Sequence, residues 1–315
     1  MRAVVVDRFM EPSELRVSQV PEPVPGPGQV LVAVRAAALN FSDILMVQGR
    51  YQVKPPFPFT PGSELAGEVL SVGDGLLFNA TGTTELDTRR LRAAPPLEVL
   101  DAARCIRVPG GLDFAEAACL PIVYGTSYAA LVQRARLERT ETLLVHAAAG
   151  GVGLGAIQIG RALGARVLAT AGGSAKCAIA LEHGAELAID YRSDDFVARV
   201  NEATDGRGAD VVYDPVGGDT FDRSLRAIAW NGRLLVVGFA SGTIPEVKVN
   251  RVMLKNVAIV GVHWSAYEER DPEAMRAVYA GLFDLVARGA VRPVISARHA
   301  LEELPAALEA LGARQ

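Results

Sequence analysis

Residues 142–153 read TLLVHAAAGGVG, and the rest of the chain is best understood outward from them. An apolar run, Thr142 to His146, enters a turn of small residues, Ala147-Ala148-Ala149-Gly150-Gly151-Val152-Gly153. A segment with helical spacing follows, with Leu154, Ile157, Ile159, Ala162 and Leu163 as its apolar positions. Strand, glycine turn and helix together give a dinucleotide fingerprint its physical meaning. The glycines let backbone approach a pyrophosphate, and the helix N-terminus offers it N–H groups and partial positive charge. Ala148 stands at the first glycine position of G-x-G-x-x-G, and Gly150 and Gly153 fill the other two. By itself such a turn fits either a phosphate cradle or a tight strand–helix corner that binds nothing.

The neighbouring segments extend the pattern. Apolar runs recur at 165–171 (ARVLATA), 187–191 (LAIDY), 209–216 (ADVVYDPV) and 232–239 (GRLLVVGF), each separated from the next by a segment with helical apolar spacing. This alternation predicts an α/β, doubly wound parallel sheet that binds ligand at the carboxyl ends of its strands. Residues 1–70 differ. MRAVVVDRF, LRVSQVPEP, GQVLVAVRAAAL and GSELAGEVLSVG are short strand candidates broken by Pro and Gly, an antiparallel, barrel-like pattern. AIVGV at 258–262 supplies a last strand, and 272–288 and 301–311 read as amphipathic helices. The expected organisation is a catalytic or substrate domain over 1–118 and a nucleotide-binding domain over 119–255. Residues 256–315 hold the last strand of the nucleotide-binding domain and the return to the first.

Composition excludes several classes. Half of the 315 residues are hydrophobic, enough for a sizeable core. A net charge of −4 argues against a nucleic-acid or phospholipid surface. No apolar run reaches the ~18–20 residues that span a bilayer, and the N-terminus reads as a strand, with no signal-peptide pattern. The three scattered cysteines, Cys105, Cys119 and Cys177, fit a reducing, cytoplasmic compartment better than a disulfide framework.

Four segments carry a family resemblance: LNFSDILMVQGRYQVKPPFPFTPGSELAGEV (39–69), GLDFAEAACLPIVYGTSYAAL (111–131), HAAAGGVGLGAIQIGRALGA (146–165) and LAIDYRSDDF (187–196). Weaker matches are DPVGGDTFDRSLR (214–226) and GVHWSAYEERDP (261–272). The chain resembles the zinc-independent NADPH:quinone oxidoreductases of the medium-chain dehydrogenase/reductase superfamily. The resemblance implies a GroES-like β-barrel-type catalytic domain beside a Rossmann domain, and a homodimer. The implied activity is NADPH-dependent hydride transfer to a small-molecule quinone or activated alkene.

Related alcohol dehydrogenases hold zinc with a Cys, a Gly-His-Glu motif and a second Cys. Here the first position falls in Asn40-Phe41-Ser42-Asp43 and the motif reads Gly62-Ser63-Glu64, so no catalytic metal is expected. For the cofactor, an NAD site places an acid at the end of the second strand. That strand ends Ala171-Gly172-Gly173-Ser174-Ala175-Lys176, with no acid before Glu182, so Ser174 and Lys176 suit a 2′-phosphate. The family pattern adds Tyr191 after the third strand. Lys176 as a solvated helix residue and Tyr191 as a packing residue are the alternatives.

The resemblance also implies the remaining site residues. Asn40 is expected near the nicotinamide ribose or the substrate, with a plain turn residue as the alternative. Tyr51 and Tyr128 are pocket tyrosines, although Tyr51 fits a rim position and Tyr128 a packing position equally well. Thr126 contacts ribose or nicotinamide, or else N-caps a helix over 127–135. Gly150, Gly151, Val152 and Gly153 cradle the pyrophosphate, and Gly238 and Phe239 at the end of GRLLVVGF join the cofactor set. His146 reads as a satisfied core histidine, and no proton donor is assigned.

Two regions depart from the family. Residues 76–98, LLFNATGTTELDTRRLRAAPPLE, lack its Gly-Asp-Arg-Val and glycine–aromatic strand between matching flanks. A compensated reading-frame change and genuine divergence both fit. The window lacks period-2 alternation, so a loop that leaves neighbouring strand edges unpaired is expected. The family's closing Thr-Gly-Lys-Val strand is not reached by Gln315. These departures keep open a nucleotide-binding protein with little or no turnover, beside the quinone reductase and an enal or enone reductase.

Overall fold

A computed structural model describes residues 1–72, 84–87, 97–102, 105–108 and 110–313. The chain forms two compact units, 1–122 with 295–315, and 123–294. No described helix is long and apolar enough to cross a membrane.

The first unit is built on an antiparallel sheet. A short pair, β1 (Arg2–Val4) and β2 (Val17–Gln19), stands apart from β3 (Gln29–Ala38), β4 (Glu64–Val72), β5 (Thr84–Asp87), β6 (Leu97–Asp101) and β7 (Cys105–Arg107). Those five pair in the order β6-β3-β4-β5-β7. Helix α1 (Phe41–Val47) follows β3, and α2 (Phe114–Ala118) follows β7. Ile44 and Val47 of α1 pack with Val4, Leu15, Phe59, Leu304 and Leu308, the last two from the returning helix Leu304–Gly312. The 76–98 window requires a correction. Thr84–Asp87 pairs with both β4 and β7, and Leu97–Glu98 open β6 against β3, so these parts pair the edges of β3, β4 and β7 that they face. A ladder needs only backbone N–H and C=O groups, which every non-proline residue supplies whatever its side chain. Residues 76–83 and 88–96 lie outside the described residues.

The second unit is a six-stranded parallel sheet in the order β10-β9-β8-β11-β12-β13. Its strands are β8 (Thr142–Val145), β9 (Arg166–Ala171), β10 (Leu187–Asp190), β11 (Ala209–Asp214), β12 (Ile228–Val236) and β13 (Ala258–Gly261). The helices are α3 (Gly125–Tyr128), α4 (Gly151–Ala162), α5 (Ser174–Glu182), α6 (Phe196–Ala203), α7 (Gly218–Ala227), α8 (Val249–Leu254), α9 (Tyr267–Arg270) and α10 (Pro272–Ala287). Helices pack on the sheet, and all four residues of the inner strand β8 are buried. Leu144, Leu168, Val212 and Leu234 from four strands share a core with Phe196, Val200, Phe221 and Leu225 of α6 and α7. Strand order reverses at β8, with β9 and β10 on one side and β11 to β13 on the other. A doubly wound sheet opens its ligand crevice at such a switch point, outside the carboxyl ends of the strands. Strand β12 starts at Ile228, before the apolar GRLLVVGF run, and ends at Val236, so Gly238 and Phe239 lie in the following loop.

Candidate cofactor and acceptor sites

The glycine turn stands at the carboxyl end of β8. Gly150 is the N-cap of α4 without a side-chain cap, leaving the first N–H groups of this helix directed outward. Gly153 is required sterically, because a Cβ there would lie 2.4 Å from the Ala147 carbonyl oxygen. Ala147 itself has φ of 49°, which folds the chain back into the helix. Ala148 is fully buried and its N–H bonds the Thr170 carbonyl at 3.0 Å, so alanine fills the first glycine position without obstructing the turn. These features fit a pyrophosphate.

At the end of β9, Gly172 lies under the Tyr191 hydroxyl, 2.6 Å from where its Cβ would be, with Arg192 Nε at 3.2 Å. Gly173 adopts φ of 98° and leads into α5. Asp190 Oδ1 accepts from the Gly173 N–H at 2.9 Å and the Arg192 N–H at 3.0 Å, and these bonds hold its carboxyl below the usual range. The carboxylate thus binds the two turns together from beneath. Ser174 and Tyr191 are exposed and Lys176 is half-buried. Arg192, missing from the sequence-derived set, joins Ser174, Lys176 and Tyr191 here. Its signal was present as the basic residue directly after Tyr191.

Thr126 lies inside α3 and does not cap it. The chain is already helical from Leu120, through wider turns at Leu120–Tyr124 and Ala129–Arg134, which corrects the N-cap alternative. Ser127 fixes this helix against the glycine turn, its hydroxyl 2.9 Å from the Val152 carbonyl and 3.1 Å from the Tyr213 hydroxyl. Tyr128 takes its packing position. Its hydroxyl occupies the space of a Cβ on Gly281 of α10, and burial, then Asp284, push the phenol up. Phe239 rests on Gly217, and the Ala240 N–H bonds the Pro215 carbonyl at 3.0 Å, so this loop packs on the end of β11.

His146 is a satisfied core histidine. It is buried, with Nδ1 2.8 Å from Thr170 Oγ1 and Nε2 2.8 Å from Ser224 Oγ. Ser224 already donates to the Thr220 carbonyl, so Nε2 carries the proton and Nδ1 accepts from Thr170. Burial, with Arg223 nearby, pushes the imidazole down to about 3.

In the first unit, Asn40 is the N-cap of α1. Its Nδ2 donates to Glu64 Oε1 at 2.8 Å, and Glu64 Oε2 accepts from the Ile122 N–H at 2.7 Å. The Asn40 N–H donates to Asp43 Oδ2 at 2.7 Å, while Asp43 Oδ1 accepts from the Ser63 hydroxyl at 2.8 Å. Asp43 is 1% exposed, and burial pushes its carboxyl up to about 6. Tyr51 is half-buried, its phenol raised by burial and then by Asp43. Asn40 is thus a turn residue whose side chain is also fixed by a buried carboxylate. Among the described residues, no three His, Cys, Asp or Glu side chains form a group able to hold a metal.

Residues 26–85 match the alcohol dehydrogenase GroES-like domain family, and residues 151–280 match the zinc-binding dehydrogenase family. The quinone oxidoreductase-like protein 2 homolog of Nematostella vectensis is 38% identical over 287 residues, 90% of this chain and 78% of that protein. The chain belongs to the quinone oxidoreductase family of the medium-chain dehydrogenases/reductases. A Pseudomonas aeruginosa quinone oxidoreductase is also 38% identical, over 92% of this chain and 90% of its own. A mycobacterial protein solved in complex with NADPH superposes with a TM-score of 0.92 at 32% identity, covering 100% of this chain and 97% of that one. Members of the quinone oxidoreductase family are oxidoreductase enzymes, and the chain is one of them.

Proposed function

We propose that the chain is an NADPH-dependent reductase that transfers hydride to a quinone without a catalytic zinc. The observation that carries this reading is the paired turn at Gly172-Gly173. Tyr191 and Arg192 overhang it, Ser174 and Lys176 follow it, and the nearest carboxylate, Asp190, is engaged with backbone beneath it. A cationic, hydroxyl-rich turn suits a 2′-phosphate, which an acid at this position would repel. Gly150, Gly151, Val152 and Gly153 take the pyrophosphate, while Thr126, Gly238 and Phe239 complete the cofactor set. Bound NADPH supplies the hydride and its electron pair. Asn40, fixed by Glu64, orients the reacting centre, with Tyr51 beside Asp43 in the same unit. Asn40 and Ser63 at the family's zinc-ligand positions support metal independence, and a quinone accepts hydride without a Lewis acid. The reading includes a cytoplasmic homodimer: no disulfide joins Cys105, Cys119 or Cys177, and β13 leaves one edge of its sheet open.

Steady-state NADPH oxidation against a quinone panel and an enone panel tests the reading, with fluorescence titration of NADPH and NADH alongside. Quinone-dependent oxidation and at least about tenfold tighter NADPH binding, roughly 1.4 kcal/mol, are expected. Turnover confined to enones would replace the acceptor. Tight NADPH binding without turnover on either panel would make the chain a nucleotide-binding protein.

A further inference from the structure

The reduction of a quinone needs a proton as well as a hydride, and the first unit holds a buried acid beside the residue that orients the reacting centre. Asp43 lies at the third position of α1, where one carboxylate oxygen bonding the Asn40 N–H completes a helix cap. That task needs a single acceptor and no burial. Taking a carboxyl wholly out of water is costly, and it favours the protonated form. The second oxygen accepts from the hydroxyl of Ser63, a partly exposed residue next in sequence to Glu64, which itself holds the Asn40 amide. The buried acid is therefore linked to a partly exposed serine by one hydrogen bond, and Asn40 is bonded to the same acid.

We propose that Ser63 is a catalytic proton donor to the acceptor and that Asp43, acting through it, is the proton source. The inference rests on the quinone-reductase reading. When Asp43 is ionised, Ser63 donates to it, as in the structure. When Asp43 is protonated the hydrogen bond reverses, and the Ser63 hydrogen is released toward the acceptor. Hydride arrival brings two electrons and leaves one quinone oxygen as an oxyanion. The Ser63 O–H bond breaks as a new O–H bond forms on that oxygen. The Asp43 proton re-forms the serine hydroxyl, and the carboxylate left behind is reprotonated from water. The titratable neighbours are Tyr51 and, through Asn40, Glu64; the returning helix presents Leu304 and Leu308 to the α1 core. A neutral phenol at Tyr51 places no charge on Asp43 below the phenol's raised range.

The test is the pH profile of 1,4-benzoquinone reduction in Asp43→Asn, Ser63→Ala and Ser63→Thr, with solvent deuterium isotope effects and NADPH affinity measured in parallel. Wild type should lose rate as pH rises through about 6 and show an isotope effect. Asp43→Asn keeps an acceptor for the Asn40 N–H, so the cap survives. Both Asp43→Asn and Ser63→Ala should fall by about a hundredfold in kcat and lose the pH limb, with unchanged NADPH affinity. Ser63→Thr, which retains a hydroxyl, should restore both rate and limb. A wild-type pH limb persisting in Asp43→Asn would overturn the pair and leave the reductase reading intact. No benzoquinone turnover by the wild type would overturn that reading and the pair with it.

Discussion

In the proposed NADPH site, Arg192 and Lys176 would approach the 2′-phosphate from different directions. Lys176 lies in the first turn of α5, and Arg192 reaches over Gly172 from the end of β10. A guanidinium–phosphate hydrogen bond contributes about 1.5–3 kcal/mol. Arg192→Ala should therefore weaken NADPH by ~10- to 100-fold and leave NADH nearly unchanged, and Lys176→Ala should act in the same direction. Equal losses for both nucleotides in a calorimetric titration would detach these residues from the 2′-phosphate. The cofactor was legible here because a missing strand-end acid can be seen in sequence. Arg192 was not singled out because its approach depends on how two turns separated by a helix fold together. The burial of Asp43 was illegible for a related reason: NFSD reads as an ordinary helix start, and only packing around α1 removes the carboxyl from water. Asn40 entered the proposed site only through the family resemblance, since an Asn after a strand is otherwise a turn residue.

At the scale of elements, the join between β8 and α4 carries the cofactor reading, and two changes should damage it differently. Gly153→Ala puts a methyl group 2.4 Å from backbone that cannot yield cheaply. A loss of about 1–3 kcal/mol in stability is expected, with weakened NADPH binding, by urea unfolding and fluorescence titration. His146 gives a pH signature. Its imidazole, held down to about 3 when folded, regains its ordinary value of 6.5 when unfolded. The unfolded chain then binds the extra proton, so this contribution is complete above about pH 6.5 and declines as pH falls toward 3. At pH 5 the loss is about 2 kcal/mol. Urea unfolding at pH 7.5 and pH 5 should show it in wild type and not in His146→Gln; identical pH slopes would assign acid sensitivity to other groups. The strands of this unit were legible because burial on both faces leaves uninterrupted apolar runs. Their ends were less so: β12 begins at Ile228 ahead of its apolar run, because buried Ile228 pairs with Ala209 before a register shift, and the ladder with β11 resumes at Arg233.

At the scale of the molecule, the change from broken antiparallel strands to regular strand–helix alternation was visible because the two patterns have different hydrophobic periods. Assembly leaves no such period, yet the second unit carries a trace of it. Strand β13 pairs with β12 on one side only, leaving a row of backbone donors and acceptors at the sheet edge. Just before it, α8 buries none of its residues, and Val249, Met253 and Leu254 are 74%, 71% and 71% exposed, with Ile244 at 70%. Exposed apolar side chains and an open sheet edge in one unit are the two features that the proposed homodimer would have to cover. A second copy satisfies both features at once. In the homodimer proposed above, a two-fold axis beside β13 would pair the strand with its own copy in antiparallel register, and the same operation would bring one α8 patch toward the other. Sedimentation velocity at micromolar concentration should therefore find a dimer. Met253→Glu combined with Leu254→Lys should shift it to monomer, with circular dichroism and NADPH affinity retained, because neither side chain belongs to the core or the cofactor turn. A wild-type monomer, or a double variant that stays dimeric, would remove β13 and α8 from any interface between copies.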